Sequence, residues 1–288
     1  MVAASPSTGI GLDRGRFALN RSIAPRLDLA GFLDLTLRAG LKKVELRNDL
    51  GRTSPVDGLT PAAADGLLSG QGIEVLSINA VLKFNLPAAQ SEVMAELRRL
   101  LELAQRIRCR GIVLCPFADP SDRRSEAQRA SDTSAALATY GPHFDAAGIL
   151  GYVEPLGYPW SSLRSLVSAQ QAIQASGFTC YRVLYDTFQH VWGGEGEAVL
   201  GGAYDVAFTG LVHVSSAPRP IDWTKVRDAD RTLVGSDDAI GNRDQLRRLV
   251  QLGYRGSFSF EPFVASLQEM GSAELAQAVR ASTDELCR

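Results

Sequence analysis

The 288-residue sequence predicts an α/β protein of the (β/α)8 TIM-barrel class. Two observations point there. Short, β-rich apolar runs alternate with longer stretches of helical periodicity, the signature of repeated βα units. Eight such units fit the chain, and a barrel of this class typically takes about 250 residues. The class also places its active site at the C-terminal ends of the strands, so chemically capable residues should gather there.

In chain order, the first strand is expected over 17–23 and its helix over 27–39, where Gly40 follows Ala39. A strand over 43–47 leads to a helix over 61–69 that runs out at Gln71-Gly72. The third pair is 74–80 and 92–106, and the fourth is 111–116 and 126–147, with Gly148 next. The fifth is 151–154 and 163–175, before Ser176-Gly177. Glycine at these places relieves the left-handed backbone of a helix C-cap. The sixth strand, 182–187, is followed by a poorly defined helical segment after Glu195. The seventh strand, 210–215, leads into a connection from Ser216 to Asn242 that carries Pro218, Pro220 and Gly235. A link of that length points to function. A helix over 244–252, ending at Leu252-Gly253, a strand over 257–261 and a closing helix over 266–286 complete the series.

This gives one barrel domain over 17–288 behind a flexible lead-in over 1–16, which is polar, small and Gly-rich and lacks the apolar stretch of a secretory signal. Thirty Lys and Arg against 32 Asp and Glu leave a net charge of -2. No global positive field is present to draw in nucleic acid or an acidic membrane, so neither partner is expected. No apolar run reaches the roughly 20 residues of a membrane span. The four cysteines, Cys109, Cys115, Cys180 and Cys287, are scattered without a CxxC pair, as expected of a reduced cytoplasmic protein.

Four successive strand ends, the fifth to the eighth, carry a possible metal ligand: Glu154, Asp186, His213 and Glu261. Each follows apolar neighbours, where an ionised side chain is costly without a partner. Any one alone could be a structural hydrogen-bonding residue. Four on successive strands point to a shared divalent cation, and three carboxylates with one imidazole suit Mn²⁺, Mg²⁺, Co²⁺ or Zn²⁺.

The segments Gly40-Leu-Lys-Lys-Val-Glu-Leu-Arg47, Ser77-Ile-Asn-Ala-Val-Leu-Lys-Phe-Asn85, Val153-Glu-Pro-Leu-Gly-Tyr-Pro159, Leu184-Tyr-Asp-Thr-Phe188, Asp228-Ala-Asp-Arg231 and Gly253-Tyr-Arg-Gly-Ser-Phe-Ser-Phe-Glu261 span nearly the whole chain after Arg16. They resemble the xylose isomerase-like TIM-barrel superfamily of sugar isomerases and epimerases, most nearly its inosose (2-keto-myo-inositol) isomerases. The resemblance implies that Glu154, Asp186, His213 and Glu261 hold one divalent ion and that Glu154 and Glu261 are also the catalytic acid/base pair. It implies a proton moved through an enediolate on a small ketose or inosose, with no nucleotide cofactor. Where many relatives carry a histidine three residues after the metal aspartate, this chain has Gln189, with His190 one place later. Either Gln189 replaces that histidine as a neutral hydrogen bonder or the loop shifts to present His190.

Further substrate-side candidates are Asn79 at a strand end, Arg231 in the long seventh connection, and Trp160 with Tyr158 just beyond Glu154. Arg231 could equally be a solvated loop residue, and the two aromatics could be core packing. Glu45 could reach the pocket or form a buried network with Arg47. The Gly-rich stretches match neither the dinucleotide nor the P-loop fingerprint, and no Gly-x-Ser-x-Gly or His-Glu-x-x-His motif occurs. Alternatives are a ketose 3-epimerase, a hydroxypyruvate isomerase, a hydrolase of the apurinic-endonuclease branch, or a non-catalytic sugar-binding barrel. The second-last would need more histidines than the three present and a basic face. Exposed helix faces leave a homo-oligomer possible.

Overall fold

The structure, a computed structural model, describes residues 12–52 and 54–288. Residues 1–11 of the expected lead-in lie outside the described residues. Its last three, Arg14–Arg16, form a 3₁₀ turn, and the Arg16 guanidinium sits 4.4 Å from the centre of the Phe258 ring.

Eight parallel strands close into a barrel in sequence order: β1 (Phe17–Asn20), β2 (Lys43–Arg47), β3 (Glu74–Val81), β4 (Gly111–Leu114), β5 (Leu150–Val153), β6 (Tyr181–Asp186), β7 (Thr209–Val214) and β8 (Phe258–Phe260). The last pairs back onto the first through Phe17 and Phe258. The helices between them are α1 (Leu29–Arg38), α2 (Pro61–Gly70), α3 (Gln90–Arg106), α4 (Glu126–Ala147), α5 (Leu166–Ser176), α6 (Thr187–Gly193) and α7 (Asn242–Gln251). After β8 come α8 (Ala265–Gln268) and α9 (Ser272–Cys287). Among the described residues, no helix is long and apolar enough to cross a membrane.

Local chemistry sets these boundaries. Asp28, Thr60, Ser125 and Ser165 each accept a backbone N–H of the first turn of α1, α2, α4 and α5. Gly148 and Gly177 take the left-handed conformation that closes α4 and α5.

Three elements differ from expectation. β1 stops at Asn20, because the Asn20 carboxamide accepts the Ser22 N–H at 3.0 Å and turns 21–23 into a 3₁₀ turn. The helix after β6 starts at once rather than after Glu195: the Asp186 carboxylate accepts the N–H groups of Phe188 and Gln189 at 2.8 and 3.0 Å. The later segment forms only the short 3₁₀ turns Glu197–Val199 and Val206–Phe208. The expected closing helix is split at Gly271, whose extended backbone begins α9.

Residues two apart on a strand share a face. Ala18, Val113, Tyr152, Leu184 and Leu211 form one buried apolar cluster. One two-residue step further toward the C-terminal ends, on the same face, lie Asn20, Cys115, Glu154, Asp186 and His213. An apolar plug thus floors a polar layer. A larger apolar core joins the outer strand faces to the helices.

Candidate metal centre and active site

Glu154, Asp186, His213 and Glu261 come together at that polar layer. Each offers one ligand atom, and these atoms lie within 4.8 Å of one another. All four side chains are buried. The His213 ring turns Nδ1 toward the other three, at 3.2 Å from Glu154 Oε1, 3.1 Å from Glu261 Oε2 and 3.8 Å from Asp186 Oδ2.

The two glutamates are held differently. Glu261 Oε1 accepts from Arg47 Nη1 at 2.7 Å, Asn79 Nδ2 at 2.9 Å and Asn20 Nδ2 at 3.2 Å. Arg231 Nη2 reaches its other oxygen at 3.0 Å. Burial would push the Glu261 carboxyl up, but His213, Arg231 and Arg47 outweigh it and hold it below the ordinary carboxylate range. Glu154 has the His213 ring and the Cys115 thiol, whose Sγ lies 3.2 Å from Oε2, and no guanidinium. Burial dominates there and raises its pKa despite His213. The Cys115 thiol is itself pushed well up by burial and by Glu154, so it is no thiolate. His213 is raised well above an ordinary imidazole: burial lowers it, but the Glu261 and Glu45 carboxylates prevail.

The donor set fits one divalent cation. Glu45, Glu154, Asp186 and Glu261 are buried carboxylates, and Arg47 and Arg231 are the guanidiniums buried among them. With His213 neutral, two negative charges are left uncompensated in a place where each is costly. Hard oxygen ligands with one imidazole suit Mn²⁺, Mg²⁺, Co²⁺ or Zn²⁺.

Above the cluster opens a cavity of about 380 Å³, lined among others by Asn79, Glu154, Gln189, Arg231 and Glu261. A larger cavity of about 530 Å³ lies between α4 and α5 and includes none of the four residues.

The other expected site residues separate into groups. Arg231 is buried, donating to Asp186 Oδ2 at 2.5 Å and Ser215 Oγ at 2.8 Å, and is not a solvated loop arginine. Asn79 lines the cavity and steadies Glu261. Gln189, and not His190, faces the cavity: its Oε1 accepts the Gly157 N–H at 2.9 Å, and its Nε2 donates to Asp228 Oδ1 at 3.1 Å and to Tyr158 Oη at 3.3 Å. Tyr158 also donates a short hydrogen bond to Asp228. His190, one residue round the helix, points away and packs on the Tyr185 ring with centroids 5.0 Å apart. Trp160 lies outside the cavity lining, 39% exposed, stacked on Tyr158 at 5.6 Å and set edge-on to Trp192.

Glu45 does not reach the cavity. Its carboxylate is wholly enclosed one layer below, against His213 Nε2 at 3.1 Å. Nor does it pair with Arg47, which spans Asp49 and Glu261. The sequence reading overlooked Asn20, because extending β1 to Ile23 hid its place at a strand end, and Cys115, at the end of β4 like the others. Asp228 stood within a recognised segment without an assigned role.

A family profile described as xylose isomerase-like TIM barrel matches residues 33–285. Among solved structures, a xylose isomerase domain containing protein from Salmonella typhimurium LT2 is 35% identical, with a TM-score of 0.90 over 97% of this chain and 100% of that one. The IolI protein, solved with a bound zinc atom, aligns with a TM-score of 0.86 at 16% identity, over 94% of this chain and 98% of its own. D-psicose 3-epimerase from Clostridium cellulolyticum H10, solved with D-tagatose, gives 0.71 at 15% identity, over 93% and 97%. The last two speak for the fold. No curated protein sequence gave a significant match.

Proposed function

The chain belongs to the xylose isomerase-like TIM-barrel family, and from that premise we propose that it is a divalent-metal-dependent isomerase or epimerase of an unphosphorylated ketose or inosose, with 2-keto-myo-inositol as the leading substrate. The observation that carries this reading is the convergence of Glu154, Asp186, His213 and Glu261 within 4.8 Å beneath an open cavity. Moving a carbonyl to a neighbouring carbon, or inverting that neighbour, requires a proton to leave a carbon beside C=O and one to return. Bound by those four residues, a divalent ion supplies charge that stabilises the developing enediolate oxygens.

The rest falls to the chain's own groups. Glu154, with raised basicity and no guanidinium on it, is the carboxylate that takes the carbon-bound proton. Glu261, held ionised by its donors, is the weaker base and faces the same substrate from the β8 side. In isomerisation the proton on Glu154 is handed to the old carbonyl carbon, while the hydroxyl proton of the neighbouring carbon passes to the old carbonyl oxygen. In epimerisation the two faces are divided: ionised Glu261 takes the carbon-bound proton on its side, and Glu154, whose raised pKa lets it carry a proton, gives one to the opposite face. The wall of Gln189, Tyr158 and Asp228 offers polar groups to substrate hydroxyls, and Arg231 keeps Asp186 and Glu261 oriented.

Proton-exchange NMR in deuterated buffer with Mn²⁺, on a panel of inososes, ketohexoses and hydroxypyruvate, tests the reaction class before product identity. Deuterium should enter at a carbon beside the carbonyl of one of them. Glu154→Gln should slow that entry by about 10²- to 10⁴-fold, the usual contribution of a positioned base. Absence of exchange throughout the panel, or a Glu154→Gln variant as fast as wild type, removes the proposal.

A further inference from the structure

His213 has two ring nitrogens and both are engaged. Nδ1 faces Glu154, Asp186 and Glu261. Nε2 faces Glu45 alone, at 3.1 Å. An ionised carboxylate can only accept, so Nε2 must carry a proton. Glu45 presents both of its carboxyl oxygens as acceptors, Oε2 to Ser77 and Oε1 to Asn20, as a carboxylate does. It is also fixed in place, accepting from Ser77 Oγ at 2.5 Å and Asn20 Nδ2 at 3.3 Å. Among the described residues, its ion-pair partner is His213 and no arginine or lysine.

We infer that Glu45 is a positioning residue that locks His213 in the Nε2–H tautomer and so commits Nδ1 to the metal. The inference rests on the metal-dependent reading above. Two features set this contact apart from a general buried ion pair. A carboxylate aimed along the N–H of a ligand imidazole fixes the plane of the ring and raises the basicity of the opposite nitrogen. Glu45 also lies outside the cavity lining, held by Ser77 and Asn20, so of Glu154, Asp186, His213 and Glu261 it touches His213 directly. Asn20 bonds both Glu45 and Glu261, which ties this support to the ligand layer.

The test is Mn²⁺ titration of EDTA-stripped wild type, Glu45→Gln and Glu45→Ala, with free Mn²⁺ read by EPR and folding checked by circular dichroism. Glu45→Gln keeps the shape and an acceptor oxygen but loses the charge. It should bind about tenfold more weakly, and Glu45→Ala up to about a hundredfold, the range found for partners of metal-bound histidines. In the Zn²⁺-loaded wild type, long-range ¹H–¹⁵N spectra should place a slowly exchanging proton on His213 Nε2, and in Glu45→Ala that proton should exchange fast. Affinity within twofold of wild type in a folded Glu45→Gln variant overturns the inference, even if its melting temperature falls, because a purely structural role moves stability alone. If neither variant folds, Ser77→Ala decides: it strips support from an intact Glu45, and unchanged Mn²⁺ affinity then overturns the proposal. A wild type that binds Mn²⁺ but exchanges no substrate proton defeats the enzymatic reading and leaves this one standing. Mn²⁺ binding untouched by Asp186→Asn defeats the metal centre and both readings with it.

Discussion

At the residue scale, His213 sits where the charge of the carboxylates and the proposed metal meet. Its raised pKa means that without an ion a proton sits on Nδ1 between Glu154 and Glu261. On the metal-dependent reading proposed above, a cation would displace that proton, so binding would release it and affinity would fall as pH falls. We expect the apparent Mn²⁺ affinity to rise by about tenfold per pH unit until the folded His213 value is passed, measured by titration from pH 6 upward. For the metal-free chain the sign is opposite. A folded-state pKa raised above the unfolded imidazole value of about 6.5 gives stability that is fully present below that value and is lost as pH rises through the folded one. Melts of EDTA-treated protein should therefore lose His213's contribution on the alkaline side, and a pH-independent affinity would contradict this account. The identities of Glu154, Asp186, His213 and Glu261 were legible because each closes an apolar strand. Glu45 was not, because alternation along a strand tells which residues face inward and not how deep each one sits.

At the element scale, the cavity wall depends on how closely the loop after β5 meets α6. Gly157 donates its N–H to the Gln189 side chain, and a Cβ there would lie 2.3 Å from the Gln189 carbonyl oxygen and 2.6 Å from the Gly193 nitrogen. Backbone cannot yield as a flexible side chain can. Gly157→Ala should cost about 1–3 kcal/mol and displace Gln189. KM should rise more than kcat falls, since Glu154, three residues earlier, is pinned to the end of β4 by its N–H on the Leu114 carbonyl at 3.1 Å, and Glu261 lies on another strand end. Steady-state kinetics beside a thermal melt would check this, and an unshifted KM would argue against Gln189 as a substrate-facing group. The helix that carries Gln189 was not read from the sequence, because α6 has only seven residues and is nucleated by the Asp186 side chain. A periodicity search has too few turns there to register.

At the scale of the whole molecule, the barrel gathers repelling carboxylates from β2 and from the ends of β5, β6 and β8 around the His213 ring of β7 and leaves part of their charge uncompensated. A ligand that binds only the folded chain stabilises it. Mn²⁺ at a hundred times its Kd should add about 2.7 kcal/mol, on the order of 5–10 °C in Tm for a domain of this size. EDTA should remove that increment and Asp186→Asn should abolish it in differential scanning calorimetry; an EDTA-insensitive melt would mean that the cluster holds no ion. The eight strands, the intervening helices other than α6, and the strand-end places of Glu154, Asp186, His213 and Glu261 were set by the sequence alone, because periodicity and strand alternation are local and act over a few residues. Only the closed barrel decided the rest: that Glu45 lies beneath His213 rather than in the cavity, that Gln189 faces inward while His190 does not, and that Arg47 and Arg231 clamp Glu261. The reason is stagger. Which residues of neighbouring strands share a layer is fixed by the register of the ring as a whole, and no single strand encodes it.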